Sequence, residues 1–302
     1  MKRIMLTVAY DGTNYCGWQI QPNGITVEEV LDRELSRLLC EDVHVLGVSR
    51  TDSGVHSRGN LCVFDTESQI PPEKMCYAIN QSLPEDIVVT SSCLVPAGFH
   101  PRKCDSIKTY EYVIYNAKVP SPLRRRYSHF FYQPLDVEAM RRGAKCLVGE
   151  HDFRSFCSAH SDKEATIRTL TQLEIAAEPL DEIPGSEVRI RVSGTGFLYN
   201  MVRIIVGTLL RVGTGFWPPE KVAEILEARD RAQAGPKAPA CGLTLMGIRL
   251  LQDPWEMASG DAGENLPSED RSLAADDRAL LGRRSPADDH AENTCRKEKQ
   301  LL

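Results

Sequence analysis

An alternating stretch, Ile4-Met5-Leu6-Thr7-Val8-Ala9, is followed after a polar connection by a helix-like stretch, Thr26-Val27-Glu28-Glu29-Val30-Leu31. The first stretch has apolar side chains at every second position, which is typical of a β-strand with an apolar face. In the second, Thr26 and Glu29 have the spacing of a capping box, and the apolar residues fall on one side of a helix that runs to Leu39. This strand and helix predict the first part of a layered unit of sheet and helices.

The segments that follow complete a βαββαβ order, which indicates a ferredoxin-like unit. Apolar and β-branched runs predict the strands, and a proline pair opens the second helix. We therefore expect residues 1–100 to form an N-terminal ferredoxin-like half. The segments are strands at 43–48, 61–64 and 87–95, and a helix between Pro71 and Pro84.

Residues 101–252 have the same pattern, so we expect a second ferredoxin-like half. The fold class is then α+β, with two mainly antiparallel sheets that meet at a central active-site cleft, the usual place for a large ligand. The predicted elements are strands at 109–115, 166–176, 188–192 and 243–250, and helices at 137–148, 197–212 and 218–227.

The charge is distributed unevenly. The chain of 302 residues has a net charge of -6, but residues 251–302 hold 7 basic and 12 acidic side chains, which leaves 29 basic against 30 acidic before them. The main part is thus close to neutral and has room for a basic face that binds nucleic acid. Residues 259–302, poor in apolar side chains, are predicted to be a disordered acidic tail.

Export, membrane insertion and metal binding are not expected. The N-terminal residues lack the apolar block of a signal peptide, and the most apolar stretch, 197–212, is shorter than the roughly 20 residues that span a bilayer. Ten cysteines are scattered without a C-x-x-C pair, which predicts reduced thiols in a cytoplasmic protein rather than a metal site.

The polar run Ser49-Arg50-Thr51-Asp52-Ser53-Gly54-Val55-His56-Ser57-Arg58-Gly59 is the strongest candidate for a site. It follows a predicted strand and reads as a loop, and loops on a rigid scaffold can direct charged groups into a cleft. Residue types alone also fit an ordinary polar turn. Asp52 is the candidate carboxylate.

Three further residues stand out. Arg203 lies in the apolar helix 197–212, where a buried guanidinium needs an anionic partner such as Asp52, although it could instead extend to solvent. With Arg203 beside it, Asp52 would stay ionised in a cleft that excludes water. Tyr110 and Tyr112 share one face of a strand, where aromatic rings either stack on exposed bases or belong to the core.

Six blocks within about residues 1–250 carry a family resemblance. They are 10–19 (YDGTNYCGWQ), 49–56 (SRTDSGVH), 99–102 with 108–116, 151–156, 197–207 and 242–245. In this order they resemble the TruA family of tRNA pseudouridine synthases. Ser49, Ser53 and Ser57 stand where the family commonly has Gly or Ala, and the acidic tail has no counterpart in the family core.

The resemblance implies that uridines 38, 39 and 40 in the tRNA anticodon stem-loop are isomerised to pseudouridine by a homodimer without a cofactor. Asp52 would be the essential aspartate, Tyr110 the substrate tyrosine and Arg203 the arginine that pairs with Asp52. Arg50, Arg58 and His56 would bind the RNA. Asp52 could act as nucleophile or as base.

Three other interpretations stay open at this level. The protein could be a non-catalytic RNA-binding protein, but binding alone does not require an Asp with a buried Arg. It could be a hydrolase that releases the base, but such enzymes commonly use two carboxylates. It could also be a structural dimer, which the polar run at 49–59 disfavours.

Overall fold

The computed structural model describes residues 1–158, 166–181 and 183–256. The acidic tail predicted for residues 259–302 lies outside the described residues. The strands are β1 Lys2–Tyr10, β2 Leu46–Gly47, β3 His56–Thr66, β4 Ile87–Val95, β5 Ser106–Ala117, β6 His129–Phe131, β7 Gly149–Asp152, β8 Ile167–Pro179, β9 Gly185–Gly194 and β10 Leu243–Leu250. The α-helices are α1 Val27–Leu39, α2 Met75–Ile79, α3 Val137–Ala144, α4 Met201–Gly213 and α5 Lys221–Ala228.

The N-terminal strands are hydrogen-bonded in the order β4-β1-β3-β2, antiparallel throughout. Helix α1 starts where the capping box predicts, because the Thr26 hydroxyl accepts a hydrogen bond from the Glu29 amide. Its apolar side packs with α2 on the face of β1 that carries Ile4, Leu6 and Val8. The predicted strand at 43–48 is reduced to the two residues of β2.

The C-terminal strands repeat this arrangement in the order β10-β5-β9-β8, again antiparallel. Helix α4 follows β9 and is buried along its length except at Arg211. It begins at Met201, later than predicted, because Asn200 has a left-handed backbone (φ 62°) that no helix continues through. Within the described residues, no helix is both long enough and apolar enough to cross a membrane.

The two sets of strands belong to one sheet, in which the described residues form ten strands. Strand β10 pairs in parallel with the start of β3, at Thr244 with His56 and Leu245 with Ser57. The sequence predicted two sheets that meet at a cleft, whereas here the two sets meet through backbone hydrogen bonds. Strand β2 pairs only with Cys62 and Val63 of β3, so the start of β3 has an open edge, as does β10, and joining the two satisfies both edges. It also brings the turn before β3 against the C-terminal helices.

Candidate active site

Asp52 lies in a short turn between β2 and β3, bent at Gly54, whose φ of 78° favours glycine. The predicted loop ran to Gly59, but β3 already begins at His56. The loop prediction was wrong there because Ser57 pairs with both Tyr10 of β1 and Leu245 of β10, so backbone pairing overrides a polar composition. Asp52 is therefore held close to a strand end.

The segment 10–18 holds this turn from one side. The Tyr10 hydroxyl lies 2.8 Å from the Thr51 hydroxyl, and the Trp18 amide donates to the Thr51 carbonyl at 3.1 Å. The Gly54 amide donates to the Tyr15 carbonyl at 3.2 Å. These bonds fix the backbone on both sides of Asp52.

Two glycines allow this close approach. A Cβ at Gly12 would lie 2.0 Å from the Val55 carbonyl oxygen, and one at Gly17 would lie 2.5 Å from that of Thr51. Gly17 also has a φ of 88°. A side chain at either position would push the turn away. The glycines of the YDGTNYCGWQ block are therefore needed to hold the turn that carries Asp52 in place.

Arg203 reaches Asp52 from α4, as the sequence led us to expect. Its Nη1 lies 3.5 Å from Asp52 Oδ2, the outer limit of a hydrogen bond, and also donates to Asn200 Oδ1 at 3.1 Å. Its Nε donates to the Ala238 carbonyl at 2.8 Å. The guanidinium is buried and does not extend to solvent. Two neutral acceptors thus hold it in place beside one carboxylate.

Burial raises the pKa of Asp52, and the charges of Arg203 and Lys237 only partly offset this effect. The sequence led us to expect that Arg203 would help to keep the carboxylate ionised, and its charge does lower the pKa of Asp52, although by less than burial raises it. The ion pair is too long and desolvation too strong for Arg203 to hold the pKa at its ordinary value. The result is a carboxylate that is more basic than a solvated aspartate, which favours a role as base or nucleophile.

Tyr110 faces the same cavity from β5. Its hydroxyl lies 3.0 Å from the Ser49 hydroxyl, and its ring makes an edge contact with Phe197, with ring centroids 5.1 Å apart. Burial raises the pKa of Tyr110 to about 12, so its phenol is neutral at physiological pH. Tyr112, on the same face, is fully buried and donates to the Pro239 carbonyl, which makes it a core residue.

The cavity around Asp52 has a volume of about 1050 Å³, large enough for a nucleoside with part of its backbone. Among the described residues, Asp52 is the only carboxylate in the lining. The cations in the lining are Arg50, Arg102, Lys108, Arg168 and Arg203. Within the same described ranges, His, Cys, Asp and Glu side chains form no group of three that could hold a metal ion.

Two residues predicted to bind substrate lie elsewhere. His56 is 3% exposed, and its Nδ1 accepts a hydrogen bond from the Gly12 amide at 3.1 Å and lies 3.1 Å from Asp11 Oδ1. Its ring packs against Tyr127. Arg58, with His56, lines a second depression that does not include Asp52. Of the three residues predicted to bind RNA, Arg50 alone lines the Asp52 cavity.

Sequence reasoning missed three cations of the cavity as site residues. Arg102 and Lys108 belong to blocks that carry the family resemblance, so their position in those blocks was an available signal. Arg168 lies on β8, outside every block, and nothing in the sequence indicates its place. Asn200, which orients Arg203, immediately precedes α4, a position that could have suggested its role.

Comparison with known proteins identifies the family. The family model described as tRNA pseudouridine synthase matches residues 6–102 and 144–249, which include Asp52 and Arg203. The chain belongs to this family.

Curated members of the family cover most of the chain. The tRNA pseudouridine synthase A of Brevibacillus brevis is 46% identical over 248 residues, which are 82% of this chain and 99% of that protein. The protein of the same name in Pelobacter propionicus is 44% identical over the same shares. A solved structure titled "Structure of H/ACA RNP bound to a substrate RNA containing 2'-deoxyuridine" gives a TM-score of 0.30 at 16% identity, covering 68% of this chain and 44% of that one. This likeness is too weak to bear on the fold.

Proposed function

We propose that this protein isomerises uridine to pseudouridine in transfer RNA and that Asp52 is the essential carboxylate. Family membership and the names of the relatives support the reaction and the substrate class. The observation that carries the role of Asp52 is its position beside Arg203 in a large cavity whose other charged side chains, among the described residues, are all cations.

The reaction breaks the bond between uracil N1 and ribose C1', turns the base over and forms a bond between C5 and C1'. C5 loses a proton and N1 gains one, so atoms and electrons balance without a cofactor. An ionised Asp52 with a raised pKa serves either as nucleophile or as base for these steps. Arg203 is a positioning residue that holds the carboxylate, and its planar fork of donors is not available to Lys.

The target base must leave the helical stack to reach Asp52. Tyr110 and Phe197 offer an aromatic corner of the cavity against which a flipped uracil can pack. Because the phenol is neutral, Tyr110 contributes a hydrogen bond and ring contact rather than a phenolate base at physiological pH. Tyr110 would then assist removal of the C5 proton by hydrogen bonding and not by accepting the proton as a phenolate.

At a finer level, we propose that the target uridines are those at positions 38, 39 and 40 of the anticodon stem-loop. We also propose that the reaction takes place in the cytoplasm and that the enzyme is a homodimer. These assignments rest on the resemblance of the sequence blocks. We also propose that residues 1–100 and 101–252 are two ferredoxin-like halves, an assignment supported by the strand order that occurs twice. Sedimentation of the purified protein tests the homodimer, which a monomeric mass would contradict.

The decisive experiment incubates the purified protein with unmodified tRNA and maps pseudouridine by chemical modification. We expect pseudouridine at positions 38 to 40 and release of tritium from tRNA labelled at uridine C5. Asp52→Asn is the control, with tRNA bound but no tritium released.

The same samples separate the other candidates. Free uracil in the nucleoside chromatogram would indicate a hydrolase, and tRNA binding without any product would indicate a non-catalytic RNA-binding protein. Full tritium release by Asp52→Asn would remove Asp52 from its role.

A further inference from the structure

Four cations besides Arg203 line the Asp52 cavity, and the reaction on the uracil does not use them. They are Arg50, Arg102, Lys108 and Arg168. Among the described residues, no ion pair involves Arg50, Arg102 or Lys108, although acidic side chains are common elsewhere on the protein. Positive charge is thus concentrated in a concave site, an arrangement that attracts an anion.

Lys108 is the central member of this group. It lies on β5, two residues before Tyr110 and on the same face of the sheet. From the rise per residue of a β-strand, the Cα atoms of Lys108 and Tyr110 are about 7 Å apart. That separation is comparable with the distance between the base and the backbone of one nucleotide. A uracil packed against Tyr110 would therefore have a flanking phosphate near Lys108.

The charges of this group repel one another in the free protein. Burial lowers the pKa of Lys108, and the nearby Arg168 and Arg102 lower it further. Burial and the charge of Arg50 lower the pKa of Arg102 in the same way, with only a small opposing effect of Glu28.

A structural cation on this protein behaves differently. Arg3 forms a bidentate contact with Asp65, and this hydrogen-bonded carboxylate raises the pKa of Arg3. Among the described residues, neither Lys108 nor Arg102 has a carboxylate at ion-pair distance, and neighbouring cations lower the pKa of both. The group is therefore better suited to an anion that comes from outside the protein.

We propose that Lys108, together with Arg102 and Arg168, binds an RNA phosphate that flanks the target uridine and so positions the flipped nucleotide over Asp52. This inference rests on the proposed function. The Nε of Arg102 donates to the Gly47 carbonyl at 2.8 Å, which fixes the guanidinium, whereas the ammonium of Lys108 serves as a point charge on a flexible stem. A phosphodiester carries one negative charge, which offsets part of the positive charge of the group and reduces its mutual repulsion.

The test uses a short anticodon stem-loop RNA in which one linkage is a neutral methylphosphonate, placed either 5' or 3' of the target uridine. Binding is measured by fluorescence anisotropy in an Asp52→Asn background, so that no turnover intervenes. With Lys108 intact, we expect the methylphosphonate at one of the two linkages to weaken binding roughly 10- to 100-fold. The Lys108→Gln protein should bind the normal RNA about as weakly as the protein with Lys108 intact binds the methylphosphonate RNA. In the Lys108→Gln protein, the same methylphosphonate should cause little further loss of affinity.

Two control variants make the comparison specific. Lys118→Gln removes an exposed charge just beyond the other end of β5 and should leave the methylphosphonate effect intact. Lys108→Arg should retain the sensitivity to the neutral linkage. The proposal would be overturned if, at both linkages, the methylphosphonate weakened RNA binding by the same factor in the Lys108→Gln protein as in the protein with Lys108 intact. Formation of pseudouridine by the wild-type protein tests the function separately, so either idea can fail alone.

Discussion

Asp52 begins the short segment 52–56, and Asp11 contacts its last residue, His56. The two carboxylates have different environments, which explain their different roles. Burial opposes ionisation at both carboxylates. At Asp11 the hydrogen bonds from Thr13 and Tyr127 and the nearby His56 outweigh burial, and its pKa is lowered. At Asp52 a contact with Arg203 at 3.5 Å does not outweigh burial, and the pKa is raised.

The contrast separates a structural carboxylate from a reactive one. Asp11 accepts bonds from the Thr13 amide, the Thr13 hydroxyl and the Tyr127 hydroxyl, so its oxygens are already occupied. Asp52 has one long contact and faces an open cavity, so its oxygens are available to a substrate. A buried carboxylate with few hydrogen bonds destabilises the fold when it is ionised. Local destabilisation of this kind is typical of functional sites.

The largest difference is expected in activity. Asp52→Asn should reduce the rate of tritium release by ~10²–10⁴-fold or more, the range for a removed acid–base group. Asp11→Asn should retain most of the rate, because Asp11 contacts His56 at the start of β3 and lines the second depression rather than the Asp52 cavity. Single-turnover assays with saturating protein measure both. A greater loss with Asp11→Asn than with Asp52→Asn would invert the proposed roles.

The second prediction concerns Arg203 and pH. Activity that needs ionised Asp52 should rise with pH through a pKa above the ordinary aspartate value. Arg203→Gln removes the charge that lowers this pKa, so the acid limb of kcat/KM should move to higher pH. The rate above that limb should fall roughly 10- to 100-fold through loss of a charge-assisted contact.

Arg211→Gln is the matched control, because Arg211 lies on the same helix but is exposed. Its pH profile should equal that of the wild type. An acid limb that stays in place in Arg203→Gln would show that the guanidinium does not act on Asp52.

The third prediction concerns stability, where the two carboxylates should have opposite effects. Asp11→Asn should lower the free energy of unfolding at neutral pH by about 1–3 kcal/mol, since it disrupts charge-assisted hydrogen bonds. Because the folded-state pKa of Asp11 is lowered, its contribution is present above the unfolded pKa and is lost as pH falls through the folded pKa. Urea titrations at neutral and acidic pH measure this loss.

Asp52→Asn should not be destabilising and should raise Tm at neutral pH. The folded-state pKa of Asp52 is raised, so ionisation disfavours the fold as pH rises above the unfolded pKa, and an amide has no such penalty. A marked decrease in Tm for Asp52→Asn would mean that the carboxylate is structural.

The smallest effect is expected outside the cavity. Arg50→Ala should weaken tRNA binding and reduce its salt dependence by about one phosphate contact, because Arg50 lines the cavity. Arg58→Ala should change both quantities less, because Arg58 lies in the second depression with His56. Binding isotherms at several salt concentrations compare the two, and a larger effect of Arg58 would move the RNA path to that side of the sheet.

The sequence predicted the site only in part. A buried Arg203 in an apolar helix requires an anion, and Asp52 in a polar turn offers one, so their contact could be anticipated from charge and burial. The direction of the Asp52 pKa could not, because it depends on the 3.5 Å separation and on how much water the surrounding side chains exclude. His56 illustrates the same limit, since it is the first residue of β3 and is buried there rather than in a substrate-facing loop.

By itself, the sequence determined the succession of strands and helices, through local patterns such as the Thr26 capping box and the alternation in β1 and β5. These signals act over a few residues, so they need no tertiary information. Only the tertiary structure decided that β3 and β10 join the strands into one sheet, and that Lys108 and Arg168 line the cavity of Asp52. Such contacts link residues far apart in the chain, and they depend on packing that no local pattern encodes.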